Sequence, residues 1–283
     1  MANDDTERTF SAASKLDDLS DLQKHEVEQQ SRPNAALIHE TIRAEGESEL
    51  ERGSWALAWS ALAAGLSMGF SMVGQGEVHS LLPAGPARDL ISPLGYTLGF
   101  LIVVVGRQQL FTENTLTPVL ALIHNRDLKT FGHLLRLWSI VLAGNIVGAM
   151  VFALAAVHGG AFDPPVVQAF KDLGHEAMRG DFSTTLVRAI YAGWLIALMV
   201  WLLPAVEGSR PNIIIIITYI VAVAGFSHII AGTVDCAFLV YSGGAGWTDF
   251  LSRFFAPTLI GNIVGGVTLV AALNYGQVAP EID

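Results

Sequence analysis

His228 sits inside an apolar stretch, Gly225-Phe226-Ser227-His228-Ile229-Ile230-Ala231, and a second polar interruption, Leu110-Phe111-Thr112-Glu113-Asn114, lies upstream within another. An imidazole titrates near neutral pH and can relay a proton. Within a membrane-spanning run it is costly, which by default marks a functional site. The opposing reading is a neutral ring that bonds a carbonyl of a broken helix. Thr112 adds a hydroxyl that can donate to an anion or orient the imidazole. Leu110, Phe111 and Phe226 flank these groups, either as apolar constrictions that exclude hydrated ions or as ordinary packing. The chemistry open to such a set is passage of a small weak acid, which crosses an apolar constriction as the neutral acid at far lower desolvation cost than as an anion.

The elements that position these groups announce themselves by repetition. Gly144-Asn145-Ile146-Val147-Gly148 returns as Gly261-Asn262-Ile263-Val264-Gly265, and each copy follows one of the polar interruptions at a similar distance. The chain is 52% hydrophobic and 15% charged, against about a quarter charged in soluble domains. It therefore reads as an integral membrane protein. Runs near the length of about 20 residues that a spanning helix needs are Trp55 to Val73, Leu137 to Val157 and Phe254 to Leu273. A second span runs from Ile91 to Val105, breaks at Gly106-Arg107-Gln108-Gln109 and resumes through Ile123. A fourth covers Ala189 to Leu203, and a fifth covers Ile213 to Ile230, interrupted around His228 and Gly232 before resuming from Ala237 to Tyr241. The expected fold is all-α and integral to the membrane, with six transmembrane helices as two three-helix repeats. An odd number of crossings per half inverts the second repeat, and paired broken helices are the best pointer to a transporter's binding site.

Non-helical backbone at membrane depth must be buried in protein or reached by water, so both interruptions face inward. Asn145 and Asn262 are placed to bond the freed backbone beside the breaks, as is Asn114 within the first; Gly-x-x-x-Gly as a simple packing motif is the alternative. Residues 1–53 hold 13 of the 26 acidic and 6 of the 16 basic residues. The expected organisation is an acidic, largely disordered tail with a short interfacial helix over 1–53, a six-helix unit over 54–275 and a short tail over 276–283. The first 35 residues lack the apolar core of a secretory signal. With the tail counted, ten Lys and Arg fall on one side and five on the other, which places both termini in the cytoplasm. Cys236 is alone, so no disulfide framework is expected. No metal or cofactor spacing, nucleophile elbow or phosphate loop is present, His124 and His133 read as solvated loop residues, and the acidic soluble segment does not suit nucleic acid. An enzyme is not expected.

The two interruptions, together with Pro257-Thr258-Leu259-Ile260-Gly261-Asn262-Ile263-Val264-Gly265-Gly266, resemble the formate/nitrite transporter family, in its YfdC-like inner-membrane branch, over residues 54–275. The resemblance implies an aquaporin-like fold with broken second and fifth helices, a homopentamer in the bilayer, and one pore per protomer for small monovalent anions, often moved with a proton. It places the family's pore histidine on His228 and its loop threonine on Thr112.

Three departures from the family pattern bear on cargo. Gln109 stands where a Glu is frequent, and Glu113 follows Thr112 where a small neutral residue is usual. Taken as the repeat counterpart of His228, Glu113 is expected either to approach the imidazole or to turn outward as a helix cap. Asp181 falls where relatives carry a Lys, which leaves Arg188, or Arg107 beside the first break, as the anion-attracting charge; snorkelling to the interface is the alternative for Arg107. The expectation is a channel or permease for a small monovalent anion or its neutral acid, with a water or neutral-solute channel and a non-conducting scaffold or sensor as alternatives.

Overall fold

The computed structural model describes residues 33–273 and 275–277. The acidic tail, up to residue 32, and the end of the chain from 278 lie outside the described residues. Every regular element among them is helical. Helix α1 (Ala35–Glu51) leads into α2 (Ser54–Leu81), the short α3 (Pro86–Ile91) and α4 (Pro93–Val105). A non-helical stretch with one 3-10 turn at Glu113–Thr115 precedes α5 (Thr117–Asn125). Then come α6 (Leu128–His158), α7 (Pro164–Ala177), α8 (Phe182–Leu202), α9 (Arg210–Val223) and α10 (Ile229–Tyr241). The last, α11 (Trp247–Thr268), changes from α to π register at Phe250–Phe255 and again from Gly265.

Among the described residues, five helical segments are long and apolar enough to cross a membrane: Ser54–Leu81, Pro86–Val105, Leu128–His158, Phe182–Ala205 and Trp247–Thr268. The chain is a multi-pass membrane protein. Where a fifth crossing was expected there are two shorter apolar helices of 14 and 13 residues, α9 and α10. At 1.5 Å per residue each is about 20 Å long, too short alone for a hydrocarbon core of about 30 Å. The sequence expectation extended this interruption to Gly232, and that is corrected. Gly232 is helical within α10, and its missing side chain admits the Phe254 ring, which an added Cβ would meet at 2.5 Å.

The two breaks open with the same hydrogen-bond pattern. At the end of α9, Gly225 N bonds Ala222 O and Phe226 N bonds Val221 O, with Gly225 at φ +65°. This closes the helix through a left-handed residue, as Schellman ends do. At the end of α4, Arg107 N bonds Val104 O and Gln108 N bonds Val103 O, with Arg107 at φ +51°. A non-glycine residue there carries a cost of roughly 1 kcal/mol, and the glycine stands one position early, at Gly106.

Beyond each left-handed residue an asparagine receives the chain. Asn145 Oδ1 accepts from Phe111 N at 2.9 Å, and its Nδ2 donates to Ala61 O at 2.8 Å and Gln109 O at 2.9 Å. Asn262 Oδ1 accepts from Ile229 N at 2.9 Å, and its Nδ2 donates to Ala189 O at 2.8 Å and Ser227 O at 2.9 Å. Both asparagines have no solvent exposure. Gly65 of α2 and Gly193 of α8 let the helices come this close, since a side chain at either would strike the backbone of Asn145 or Asn262 respectively. The lipid-compatible face of α6, with Val147, Val151 and Leu154 exposed, lies away from Asn145.

Helix α1 is docked on protein. Its buried residues are His39, Ile42, Gly46 and Leu50, and Gly46 abuts the Thr117 carbonyl at the start of α5. Arg136 of α6 donates to Leu50 O at 2.7 Å and Arg52 O at 3.0 Å. Glu49 accepts from Thr117 Oγ1 at 2.7 Å and Gln109 Nε2 at 3.1 Å. Burial pushes the Glu49 carboxyl above its ordinary range, against the lowering effect of these two hydrogen bonds.

Replacing either asparagine by leucine leaves one backbone donor and two carbonyls without their partner. At about 1–3 kcal/mol for a buried polar group left unsatisfied, relaxed partly by local shifts, Asn145→Leu and Asn262→Leu should each lose about 2–5 kcal/mol. Thermal unfolding of the detergent-solubilised protein reads this as a marked fall in Tm; a Tm equal to that of the parent would contradict it.

Candidate functional site

The shared contacts align the two breaks residue by residue. Gln109 and Ser227 each give a carbonyl to an asparagine, and Phe111 and Ile229 each give an N–H, so Leu110 occupies the place of His228. The expected pairing of Glu113 with His228 across the repeat is thus corrected. Its cause is the extra length of the first break, which continues through the turn at Glu113–Thr115 before α5 begins. Glu113 makes neither the contact with the ring nor the expected cap: its turn has no side-chain cap, and Glu113 Oε1 is buried without a hydrogen-bond partner.

The residue that meets His228 is Thr112. Thr112 Oγ1 and His228 Nε2 lie 2.8 Å apart, and both residues are buried. His228 has an extended backbone (φ −109°, ψ 128°) and caps α10, its Nδ1 accepting from Ala231 N at 3.3 Å. A ring nitrogen that accepts an N–H carries no proton, so the ring proton sits on Nε2 and donates to Thr112 Oγ1. The Thr112 hydroxyl hydrogen stays available to a third group. Phe100 packs edge-on against the imidazole at 4.9 Å. The two breaks, 116 residues apart in sequence, are thereby joined by one side-chain hydrogen bond.

On one side of this junction lies a cavity of about 90 Å³, lined in part by His228, Phe226, Ser227, Arg188, Tyr96 and Asp235. Phe226 stacks on Tyr191 at 5.1 Å, and Phe254 closes the wall beside Gly232. Leu110 and Phe111 are in the buried core at the junction, with Phe111 edge-on to Trp138 at 5.8 Å. Asn114 fastens the first break from within: its Nδ2 donates to Gln109 Oε1 at 2.8 Å and its carbonyl accepts from Trp138 Nε1 at 2.8 Å.

The two candidate cations part company. Arg188 of α8 faces the cavity, and no ion pair forms on it among the described residues. Arg107 is exposed and ion-paired to Glu45 of α1 at 2.6 Å, and it is not among the residues lining that cavity. Asp181 caps α8, accepting from Thr184 N at 2.8 Å and Ser183 Oγ at 3.1 Å. These bonds hold its carboxyl below the usual range. The sequence reading passed over Asp235, which lines the cavity from α10, and Tyr96, which lines it from α4. The signal was available, since Asp235 is the lone acid between Phe226 and Tyr241.

Broken half-length helices sealed by inward asparagines, meeting at a buried polar junction below a small cavity, define a multi-pass membrane channel or transporter. The family model described as formate/nitrite transporter matches residues 36–276. The chain is 42% identical over 261 residues to the inner membrane protein YfdC of Escherichia coli (strain K12), covering 92% of this chain and 84% of that protein. It is similar in structure to an FNT family ion channel, with TM-score 0.75, 17% identity and coverage of 85% of this chain and 98% of the other. A pentameric formate channel with formate bound matches with TM-score 0.66, 18% identity and coverage of 80% and 98%. At such identities the two structures speak for the fold. The chain belongs to the formate/nitrite transporter family, and that family and the two structural neighbours are transporters or channels, not enzymes.

Thr112→Val keeps the side-chain shape and removes the acceptor for His228 Nε2–H. The variant should be less stable by about 1–2 kcal/mol, read as a lowered Tm, and Thr112→Ser should restore it. A valine variant as stable as the parent would contradict the hydrogen bond.

Proposed function

We propose that this protein is a membrane channel or permease for a small monovalent weak acid of the formate type, carried past the Thr112–His228 junction together with a proton. The observation that carries the reading is that junction: two breaks from distant parts of the chain meet in one imidazole–hydroxyl hydrogen bond, and the imidazole lines the end of a cavity of about 90 Å³ with the Thr112 hydroxyl buried directly behind it. The cavity suits a solute of a few heavy atoms. Arg188 draws the anion in, the spare Thr112 hydrogen bonds its oxygen, and the buried side chains of Leu110, Phe111 and Phe100 exclude hydrated ions. A bare anion among such groups costs far more to desolvate than its neutral acid. His228 positions Thr112 and caps α10, and Asn145, Asn262 and Asn114 hold the breaks open. The name of one structural relative, a pentameric formate channel with formate bound, supports both the cargo class and a homopentamer with one route per protomer.

The repeated asparagine contacts support six crossings in two inverted three-helix repeats, with α4–α5 as the broken second and α9–α10 as the broken fifth helix. Residues 54–275 form this unit, preceded in sequence by the acidic segment 1–53 and followed by the short segment 276–283. The distribution of Lys and Arg supports both termini in the cytoplasm; the cavity with Arg188 then opens outward, and α1 lies on the cytoplasmic side. The similarity to an inner membrane protein supports placement in that membrane.

In proteoliposomes, formate uptake should be saturable, exceed that of empty vesicles, and rise as external pH falls. His228→Ala, which removes both the cap and the partner of Thr112, should lower it tenfold or more. Flux of a small neutral solute alone, or no flux from folded protein, would contradict the reading.

A further inference from the structure

A carboxyl group in the cavity has no partner. Asp235 is 9% exposed and lines the cavity, yet its carboxyl accepts no hydrogen bond and joins no ion pair among the described residues. Its position in α10 is enforced, because Gly174 of α7 packs against the Asp235 backbone carbonyl, where a Cβ would lie at 2.7 Å. The side chain therefore cannot retreat with its helix. Taking an isolated carboxylate out of water costs many kcal/mol unless a proton, a cation or donors compensate. Among the described residues, no donor of the protein reaches the carboxyl and Arg188, in the same lining, forms no ion pair with it, so the compensation comes from what enters the cavity.

The groups around it narrow what that is. Titratable and charged side chains facing the cavity are Tyr96 from α4, Glu176 from α7, Arg188 from α8 and His228 at the break; Cys236 is the neighbour on α10 itself, and it is buried. From α2 the cavity receives the neutral Gln75, from α11 Phe254, and from α6 nothing. Glu176 is already paired with Arg179 at 2.8 Å. His228 has its Nδ1 lone pair committed to Ala231 N and its Nε2 proton to Thr112, so it can take up a proton only by giving up the cap of α10. Asp235 is the acid with nothing to give up.

We propose that Asp235 is the proton-carrying group of the transport route and that it delivers its proton to the anion held at Arg188. Resting on the weak-acid reading above, the step is a simple transfer. The O–H bond of the Asp235 carboxylic acid breaks, an O–H bond forms on the solute's carboxylate, and the neutral acid moves on to Thr112 and His228. Asp235, left as carboxylate, regains a proton from water on the cavity side. One anion and one proton cross per turn, and no other reactant is needed. A carboxylate left unprotonated in the cavity that Arg188 also lines would instead repel the next anion, so arrival of cargo and of proton are linked at one residue.

Two measurements on the full-length protein test this with Asp235→Asn, which preserves shape and cannot carry the proton. In formate-loaded proteoliposome assays the variant should lose at least tenfold of the flux together with its dependence on external pH. In infrared difference spectra across a pH titration, which need no transport, the parent should show a protonated-carboxyl band that the variant lacks, and formate should diminish it. A variant that keeps the flux and pH profile within twofold, or a parent with no such band, overturns the proposal while leaving the formate reading intact. A parent that shows the band but carries no formate overturns the cargo reading and the transfer to formate, with the proton still located on Asp235.

Discussion

Peptide groups freed inside a membrane must find partners within the protein, and this requirement shapes the rest of the molecule. The chain leaves helical form at two places, before α5 and before α10, which creates the polar junction and also exposes backbone that lipid cannot satisfy. Asn145 and Asn262 answer with three hydrogen bonds each. Their reach is short, so α2 must lie against α6 and α8 against α11, and Gly65 and Gly193 make that approach possible. The glycines, the asparagines and the breaks are one device used twice.

The two uses diverge where function enters. At the aligned position one break carries the core residue Leu110 and the other carries His228. The first then adds a turn that brings Thr112 across to the ring. The asymmetry gives the junction a single hydroxyl and a single imidazole, with the cavity on the His228 side. Arg188 and Asp235 face that cavity, while Arg107, Glu45 and Glu49 tie α1 to the other side of the first break. Charge is thus used differently on the two sides: among the described residues Arg188 and Asp235 stand without ion pairs in the cavity, whereas Arg107 and Glu45 are paired and Glu49 is hydrogen-bonded beneath α1.

Much of this was legible in the residues. The doubled Gly-Asn-Ile-Val-Gly word located the two supporting helices, and the polar interruptions located both breaks, because helical periodicity and apolar runs are local properties. What escaped depended on distance in sequence. The first break carries an extra turn that its residue types do not reveal, so Glu113 was set against His228 where Leu110 belongs. Gly232 looked like part of the break, since a glycine that admits a distant Phe254 ring is indistinguishable in sequence from one that bends the chain. Helix α1, expected at the interface, hides its apolar face on α5 through contacts that no local pattern encodes. Asp235 was missed because one acid in an apolar helix gains its meaning only from the cavity beside it.

The central claim is that solute passes through the cavity and its junction within one protomer. With Cys236→Ala removing the native thiol, a cysteine placed at Phe226 offers a unique reactive group on the cavity wall. Formate flux into proteoliposomes should then be blocked by a small membrane-impermeant thiol reagent, and excess formate should slow the modification. Complete modification with undiminished flux would place the route elsewhere and contradict the account.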